Sequence, residues 1–541
     1  MPVGSAAAGC VFLSDVIPGL VVDTAYSWVR MFVALALSIL FSWCVGIAAG
    51  RNRTAERLIL PALDVLQSIP ILGFFPIVLV VFVSYLPLSL GVNLSVTFLI
   101  FTSMSWNIAF SVYESVKSIP ADYLDLTRME RMSLWRRVTE LYIPATWGKV
   151  AYNSATSWSV GLFYLISSEM FSLGNSAYSV KHGIGVDIAT FASQHRWGDY
   201  ALAIGVLIAA VMLTRFLFLG EFSSWSEKFK LGEESRPPKK DPIYRFYSWF
   251  NAATRAKVSS ALPRGRHLRI PSVKLQKGST DLRRLVRAVQ VVLLALLAAV
   301  AVAAAFSAAP NMNLGQLGAD EAEVLVAMAY SFLRVWYVYA ITAAIALPLG
   351  ICIAVSDRAL HAVTPLLQVV SAVPASALLF PVALFVSTLP FSGEITAAIV
   401  IFLGMVWYLI FNVIAGVRAI PSEIRDTARL LKVGRWNFWR HVYIPAALPS
   451  FITGSITAVG GAWNTLIIAE YYVVSTRGGG ATPITQVSLG LGKLLDLATQ
   501  GGNITLIGLC VLTMSLFIVT FNIAVWRRLY NRTTKRYSYG G

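Results

Sequence analysis

A charged segment that occurs twice, each time between two long apolar stretches, most constrains how this chain can fold. The first copy spans Ile119 to Ala145 and the second spans Ile420 to Ala446, a displacement of 301 positions (420 − 119). The copies share nine identical residues, paired as Ile119/Ile420, Pro120/Pro421, Asp125/Asp426, Arg128/Arg429, Trp135/Trp436, Tyr142/Tyr443, Ile143/Ile444, Pro144/Pro445 and Ala145/Ala446. Each copy opens with an Ile-Pro that favours a helix start and closes with an Ile-Pro that predicts a break.

The apolar stretches around these segments predict membrane spans. Hydrophobic residues make up 57% of the chain and charged residues only 13%, whereas a soluble protein has roughly 25% charged residues. Continuous apolar runs of about 18 or more residues are typical of transmembrane helices. They lack the alternation of a transmembrane barrel. The sequence therefore predicts an all-α polytopic membrane protein.

Eleven spans are predicted from these runs. They are Val29–Gly50, Leu58–Tyr85, Leu94–Val112, Val150–Phe171, Tyr200–Leu219, Leu285–Ala308, Tyr330–Val355, Val363–Leu389, Ala397–Val417, Phe451–Val474 and Ile504–Trp526. A repeat links the two halves beyond the charged segments, because Ala25/Ala329, Gly46/Gly350, Pro70/Pro374, Trp106/Trp407 and Glu169/Glu470 also correspond. A repeat of this length indicates a duplicated domain in parallel orientation.

The distribution of basic residues predicts the domain organisation and orientation. Five-span units are expected at 1–220 and 310–528, with their repeated loops at 117–149 and 418–449. Segment 221–285 carries fifteen Lys and Arg against six acids, which predicts a cytoplasmic linker at 221–284 and a basic cytoplasmic tail at 529–541. Two parallel five-span units need one additional crossing, which 285–309 supplies. The linker is interpreted as a tether on anionic lipid, with a regulatory or partner-binding role as the alternative. These basic segments beside the spans account for the net charge of +17, so the charge is not interpreted as a sign of nucleic-acid binding.

The repeated loop resembles the cytoplasmic EAA loop of ATP-binding-cassette (ABC) importer permeases in the MetI-like superfamily. The resemblance rests on Asp125-Leu126-Thr127 and Asp426-Thr427-Ala428, followed by Leu141-Tyr142-Ile143-Pro144 and Val442-Tyr443-Ile444-Pro445. Arg429-Leu430-Leu431 and Arg435-Trp436 look closest to the nitrate, sulfonate and bicarbonate branch. The family's loop glycine is replaced by Arg131 and Lys432, and Gly434 lies two positions late. Whether the bend that glycine allows through positive φ forms here is therefore an open question.

The resemblance implies a fused permease with two MetI-like cores in the cytoplasmic membrane of a prokaryote. Its implied partners are two ATPase subunits at the cytoplasmic face, a solute-binding protein outside and membrane lipid, and its implied solute is a small anion. A fused permease for ferric iron or thiamine is the nearest alternative within this class. An ion-coupled secondary transporter is the alternative outside it, although such folds place charged residues deep in their spans.

The physical pattern of the loops also predicts a docking role. Ile424, Ala428 and Leu431 form a short apolar stripe on one helical face. A helix this short needs a surface, either the membrane interface or the groove of a partner, and two equivalent copies favour a partner. The predicted ATPase-coupling residues are Asp125, Thr127, Arg128, Arg131, Trp135, Asp426, Ala428, Arg429, Lys432, Gly434 and Trp436. Ala428 and Thr127 are expected on the face toward the ATPase.

No nucleotide-binding or metal motif is found. The string Gly490-Leu491-Gly492-Lys493-Leu494 lacks both the first glycine and the Ser or Thr of a Walker A motif. ATP and magnesium are therefore expected on separate ATPase subunits, with no enzymatic activity and no cofactor in this chain. The four cysteines have neither metal-ligand spacing nor a disulfide pattern.

Six polar residues within the spans are candidates for the solute pathway. Asp64 and Gln67 precede Pro70, Gln368 and Ser371 precede Pro374, and Glu169 and Glu470 lie near the outer ends of equivalent helices. Polar groups beside a proline break can line a pathway or hold helices together. A buried acid can likewise be functional or serve as a hydrogen-bonded anchor.

Overall fold

The computed structural model describes residues 4–173, 180–219, 317–371, 373–420, 434–471 and 487–526, together with a few single positions between 222 and 533. The described residues are almost entirely helical and contain no β-strand, as the sequence predicts. The predicted extra span at 285–309 lies outside the described residues, as do nearly all of the linker and of the tail.

The described part of the first half contains nine α-helices, and two of its shorter helical segments also bear on the site. The helices are α1 (Gly4–Arg51), α2 (Arg53–Ser68), α3 (Phe75–Tyr85), α4 (Leu88–Lys117), α5 (Ala121–Met129), α6 (Leu134–Arg137), α7 (Ile143–Leu173), α8 (Ile184–Ser193) and α9 (Trp197–Thr214). A 3₁₀ segment (Ile71–Phe74) precedes α3, and a π-helical turn (Val138–Tyr142) precedes α7. Helix α1 begins well before the predicted start at Val29.

The second half repeats this order. Its helices are α10 (Leu317–Val355), α11 (Asp357–Val370), α12 (Leu379–Val386), α13 (Ser392–Arg418), α14 (Arg435–Phe438), α15 (Ile444–Tyr471), α16 (Leu491–Gln500) and α17 (Ile504–Phe521). A 3₁₀ segment (Ala375–Leu378) precedes α12, and a π-helical turn (Trp439–Tyr443) precedes α15. Apart from α5, whose counterpart falls largely outside the described residues, the same elements follow one another in both halves.

Seven helices of the described chain are long and apolar enough to cross a membrane. They are Val16–Arg51, Leu88–Lys117, Trp197–Thr214, Glu321–Val355, Ser392–Arg418, Trp436–Glu470 and Ile504–Trp526, with shorter apolar helices at Ile71–Tyr85, Ile184–Ser193 and Ala375–Val386. These helices make the chain a multi-pass membrane protein. The exact number of eleven crossings remains a prediction.

Two predicted continuous spans are instead interrupted helices. The predicted span Leu58–Tyr85 divides into α2 and α3, and Val363–Leu389 divides into α11 and α12. The interruptions fall at Pro70 and Pro374, each of which precedes a 3₁₀ segment. Proline has no N–H for the preceding turn and its ring clashes with the carbonyl four residues earlier, which disfavours continuation of the α-helix at these two positions.

The second Ile-Pro of each loop was wrongly predicted to break the helix. In the first copy, the π-helical turn runs directly into α7, with Ile143 N–H bonded to Val138 O across five residues. In the second copy, Trp439–Tyr443 runs into α15 in the same way. The wider π turn accommodates Pro144 and Pro445 without reversing the chain.

Each half has the same three-helix core. Helices α1, α4 and α7 pack together in the first half, and α10, α13 and α15 do so in the second. The repeated glycines explain how closely the helices approach, because a Cβ on Gly46 would lie 2.7 Å from Val112 Cγ1. A Cβ on Gly350 would lie 2.7 Å from Val413 Cγ1. The duplicated pattern therefore encodes the same tight helix pair twice.

Candidate functional site

A buried network joins three segments at the outer end of the first half, meaning the end predicted to face outside. Glu169 on α7 is fully buried. Its Oε1 accepts hydrogen bonds from Ser27 Oγ at 2.7 Å and from Arg30 Nη1 at 2.6 Å. Its Oε2 accepts one from the Gly185 N–H at 2.8 Å, and Ser27 Oγ accepts one from the Ile184 N–H at 3.0 Å. The network therefore holds α1, α7 and the start of α8 together.

The second half builds the same network with one additional acid. Ser331 Oγ donates to Glu470 at 2.9 Å, Arg334 Nη1 donates to Glu470 Oε1, and the Gly492 N–H donates to Glu470 Oε2 at 2.9 Å. Arg334 also pairs with Glu394 at 2.7 Å. In the first half, the equivalent contact is a hydrogen bond from Arg30 Nε to the neutral Asn93 Oδ1 at 2.9 Å. We call these two networks the outer anchors.

The predicted pathway residues Glu169 and Glu470 are the central acceptors of the two outer anchors. Both oxygens of each carboxylate accept hydrogen bonds from the same half of the chain, which favours the anchor alternative. The sequence prediction missed four partners, namely Ser27, Arg30, Ser331 and Arg334. Their signal was present in the repeated Ala-Tyr-Ser and Arg pattern at 25–30 and 329–334, which was used only as a sign of duplication.

An acidic pair distinguishes the outer end of the first half. Asp23 Oδ1 lies 2.7 Å from His182 Nδ1. Burial and the nearby Asp23 carboxylate raise the pKa of Asp187, on the short helix α8, to about 7. The equivalent positions of Asp23 and Asp187 in the second half are Ala327 and Leu494. The two outer ends therefore share an anchor but differ in charge.

The four remaining pathway candidates lie beside the helix interruptions. Gln67 is exposed on α2, and Ser371 is half-buried directly after α11. Asp64 and Gln368 lie on α2 and α11, but their side chains are outside the described part. The structure thus places all four on the interrupted helices, and their role in the pathway remains a prediction.

The two 3₁₀ segments lie where the halves meet. The first packs against α15 of the second half, and the second packs against α7 of the first half. A Cβ on Gly73 would lie 2.5 Å from Met514 Cε, so a larger residue here would require the end of the Met514 side chain to move. The Tyr200 hydroxyl, on α9, donates a hydrogen bond to the Ala377 carbonyl across the same boundary. We call this boundary the seam.

The first charged loop makes a sharp bend without glycine. Arg131 adopts a positive φ of 47°. The Met132 N–H bonds to Thr127 O and the Arg131 N–H to Arg128 O, both at 3.0 Å. This is the Schellman arrangement that usually has glycine at the left-handed position. The bend questioned from the sequence therefore forms in the first copy, with arginine in the left-handed conformation.

The exposed face of α5 differs from the predicted one. Thr127 is 7% exposed and its carbonyl accepts from Arg137 Nη2 at 3.5 Å. Leu126 is 54% exposed and Met129 is 80% exposed. The prediction that Thr127 faces outward is wrong because that face of α5 packs on its own half.

The other predicted coupling residues are distributed over both loops. In the first copy, Asp125 and Arg128 are exposed and form an i,i+3 ion pair at 2.9 Å, and Trp135 is half-buried. In the second copy, Gly434 and Trp436 are exposed. Asp426, Ala428, Arg429 and Lys432 lie outside the described residues, so the apolar face predicted for Ala428 is still a prediction.

The described residues contain no group of three or more His, Cys, Asp or Glu side chains that could hold a metal ion.

Comparison with known proteins identifies this architecture. The family described as binding-protein-dependent transport system inner membrane component matches residues 23–223 and 346–531. The chain belongs to this family. The two matched regions contain both 3₁₀ segments, the whole first outer anchor and the Glu394, Glu470 and Gly492 part of the second, and together they support a duplicated permease of the MetI-like type.

Individual relatives are similar over shorter stretches. The chain is 36% identical over 145 residues to the nitrate import permease protein NrtB of Leptolyngbya laminosa, covering 26% of this chain and 50% of the relative. It is 33% identical over 141 residues to the bicarbonate transport system permease protein CmpB of Synechococcus elongatus, covering 26% and 49%. It is 27% identical over 194 residues to the glycine betaine/proline betaine transport system permease protein ProW of Escherichia coli, covering 36% and 50%. The chain thus spans about half the length of the curated relatives it matches.

Proposed function

We propose that this chain is the fused permease of an ABC importer for a small anion. Its two halves enclose one solute pathway at the seam, and separate subunits supply ATP hydrolysis. A solute-binding protein delivers the anion at the outer face in the cytoplasmic membrane of a prokaryote. The observation that carries this proposal is the duplicated core with a charged, partly exposed loop in each copy. The nitrate and bicarbonate names of the relatives support an oxyanion as the solute.

The first loop offers a surface for an ATPase subunit. Leu126 and Met129 are three residues apart on α5, so their exposed side chains share one face. Exposed apolar side chains beside Asp125 and Arg128 suit a groove with an apolar floor and a polar rim. In the second loop, Leu430 is 83% exposed and Leu431 is 71% exposed. Two such surfaces suit two ATPase subunits.

Rigid-body motion is the proposed means of coupling. Helix α5 is joined through its bend and α6 to the π-helical turn that continues into α7. A displacement of α5 by an ATPase would therefore be transmitted along α7 to the seam, where α7 packs against the second 3₁₀ segment. Closure of the ATPase subunits on ATP would shift the halves relative to each other.

Reconstitution tests this function. The chain is placed in vesicles with separately encoded ATPase subunits and a binding protein, and uptake of labelled nitrate and bicarbonate is measured with and without enclosed ATP. Uptake that requires ATP is expected. Uptake driven by an ion gradient without ATP would instead indicate a secondary transporter.

A loop variant tests the docking surface separately. Met129→Glu would bury an unpaired carboxylate in the ATPase groove, which costs on the order of 3 kcal/mol and lowers the affinity roughly a hundredfold. Loss of the ATPase on co-purification is expected, with normal membrane insertion. Asp122→Glu, which keeps the charge of an exposed first-turn residue on the same helix, is the matched control. Full retention of the ATPase by Met129→Glu would contradict docking at this face.

A further inference from the structure

An ion pair joins α2 to the end of α4 on the side of the first half that is predicted to face the cytoplasm. Lys117 Nζ lies 2.6 Å from Glu56 Oε2, and the Tyr113 hydroxyl donates a hydrogen bond to Glu56 Oε1 at 2.7 Å. Both carboxylate oxygens of Glu56 are therefore bonded to α4. Lys117 is the last residue of α4, and the charged loop begins two residues later at Ile119. The contact thus fixes the start of α2 to the base of the charged loop.

The second half has an ion pair between the same two elements. Arg418 Nη2 lies 2.7 Å from Asp357 Oδ1. Arg418 is the last residue of α13, and Asp357 is the first residue of α11. We call the pairs Glu56–Lys117 and Asp357–Arg418 the inner clasps.

The two inner clasps use acids at different positions of the repeat. By the displacements that relate the two halves, the paired positions are Lys117/Arg418, Glu56/Leu360 and Arg53/Asp357. The basic residues are thus equivalent, whereas the acid lies about one helical turn earlier in the second half. Duplication alone would place the acids at equivalent positions. The joint between the two helices is therefore the feature that both halves share, independent of which residue supplies the acid.

Each clasped helix leads from a charged loop to the seam. Helix α2 ends at Ser68, close to the 3₁₀ segment Ile71–Phe74 that packs against α15 of the second half, and α2 itself contacts α17 of that half. Helix α11 likewise precedes the 3₁₀ segment Ala375–Leu378, which packs against α7 of the first half. A clasp at the start of α2 or α11 is thus connected through that helix to the seam.

Packing alone holds these helices only loosely to α4 and α13. Helix α4 packs closely with α1 and α7, but the described contacts between α2 and α4 are sparse, and the same holds for α11 and α13. The side chains of Glu56 and Asp357 are 25% and 78% exposed, and exposed ion pairs contribute little to overall stability. Stability therefore does not account for the two clasps, whereas control of the positions of α2 and α11 does.

We propose that the inner clasps are coupling joints of the transport cycle. Glu56 with Lys117, and Asp357 with Arg418, are positioning residues that make each interrupted helix move with the charged loop of its own half. When the ATPase subunits close and displace the loops, α2 and α11 carry that displacement to the seam. This inference rests on the proposed function and adds a second route to the one along α7.

The test measures nitrate uptake per ATP hydrolysed by the reconstituted complex. Glu56→Leu introduces the residue found at the equivalent position of the second half and removes the first clasp. A partly exposed ion pair shifts an equilibrium by roughly two- to fivefold, so uptake per ATP should fall by about that factor. The melting temperature, co-purification of the ATPase and the KM for nitrate should stay at their wild-type values, because the substitution changes neither the loop nor the seam.

Glu114→Gln is the matched control. Glu114 also lies near the end of α4, and its carboxylate pairs with Lys149 of α7 at 3.2 Å. This pair joins two helices that already pack closely together. Its loss should therefore leave uptake per ATP unchanged.

A rescue variant separates a coupling joint from a local structural effect. Arg53→Asp and Lys117→Arg, added to Glu56→Leu, give the first half the arrangement of Asp357 and Arg418 in the second half. Uptake per ATP should return to the wild-type value. The charge-swapped pair Glu56→Lys with Lys117→Glu repeats the rescue without moving the contact along α2.

The outcomes separate this inference from the function on which it rests. Lowered uptake per ATP in Glu56→Leu, with recovery in the rescue variants and no change in Glu114→Gln, supports the joint. ATP-driven wild-type uptake with an unchanged ratio in Glu56→Leu overturns the joint alone. The same conclusion follows if Glu56→Leu loses the ATPase, or if both rescue variants have normal melting temperatures but do not recover. A wild-type complex that takes up neither nitrate nor bicarbonate with ATP overturns both the joint and the proposed function.

Discussion

Arg30 Nη1 lies 2.6 Å from Glu169 Oε1, and the two side chains are 7% and 0% exposed. The corresponding pair in the second half is Arg334 and Glu470, but there the guanidinium also contacts Glu394 at 2.7 Å. One arginine thus faces one carboxylate in the first anchor and two carboxylates in the second. The two anchors therefore share their geometry but differ in the number of carboxylates that face the arginine.

This difference predicts unequal sensitivity to loss of the buried acid. Glu169→Gln leaves the Arg30 guanidinium buried without a carboxylate and should destabilise the protein by about 3–5 kcal/mol. Glu470→Gln should cost less, because Glu394 still pairs with Arg334. Thermal unfolding of the purified variants in detergent measures both effects. Equal losses would contradict the charge argument, and a raised transport KM without loss of stability would favour the pathway alternative for these acids.

The left-handed residue in the first loop predicts a stabilising substitution. Arg131→Gly removes the steric cost of positive φ, which is about 1–2 kcal/mol for a residue with a Cβ. The melting temperature should therefore rise. Arg128→Gly is the control, because glycine within α5 should destabilise the helix by about 1 kcal/mol. A decrease in stability in both variants would show that Arg131 makes contacts worth more than its backbone strain.

The acidic pair at the outer end predicts a pH dependence of stability. The pKa of Asp187 is raised from its ordinary value of 3.8 to about 7 in the folded protein. The folded state therefore holds a proton more tightly than the unfolded state, and this stabilisation is present below pH 3.8 and lost as the pH rises to about 7.

Asp187→Asn should remove the loss of folding stability that the wild type undergoes as the pH rises. The variant should gain melting temperature over the wild type between pH 4 and pH 7, and the difference should then stay constant at higher pH. Asp199→Asn, which removes a carboxylate paired with Arg196 at 2.7 Å, is the control acid on the neighbouring helix. A difference that does not change with pH would show that Asp187 is not the responsible group.

The membrane topology predicts two opposite labelling patterns. With the native cysteines replaced, Ala121→Cys should react only with reagent on the cytoplasmic side, because α5 belongs to the loop assigned to that side. Asn313→Cys, which lies between the predicted extra span and the first predicted span of the second unit, should react only from outside. Labelling of both from one side would rule out the odd number of crossings between them.

The sequence predicted the repeated elements better than the contacts between distant residues. The shared displacement found Glu169 and Glu470, but the bond from Arg30 to Glu169 joins residues 139 positions apart, and local periodicity carries no information about such a pair. The face of Thr127 was inferred from the apolar stripe around Ala428 in the second loop, and this equivalence did not show which face of α5 packs inward, so Thr127 was assigned to the wrong face. The bend at Arg131 forms because the hydrogen bonds of the loop outweigh the preference for glycine.

The outer anchors and the seam differ in the kind of contact that would have to change when the two halves move. Each anchor is built wholly within one half, so its charged hydrogen bonds can persist while the halves move. Contacts described across the seam, such as Gly73 against Met514, are largely apolar. Van der Waals contacts are non-directional and individually weak, so one packed arrangement can replace another without first breaking strong bonds. Under the proposed rigid-body coupling, this difference keeps the activation barrier for the shift between the two halves low, while each half stays rigid enough to transmit force.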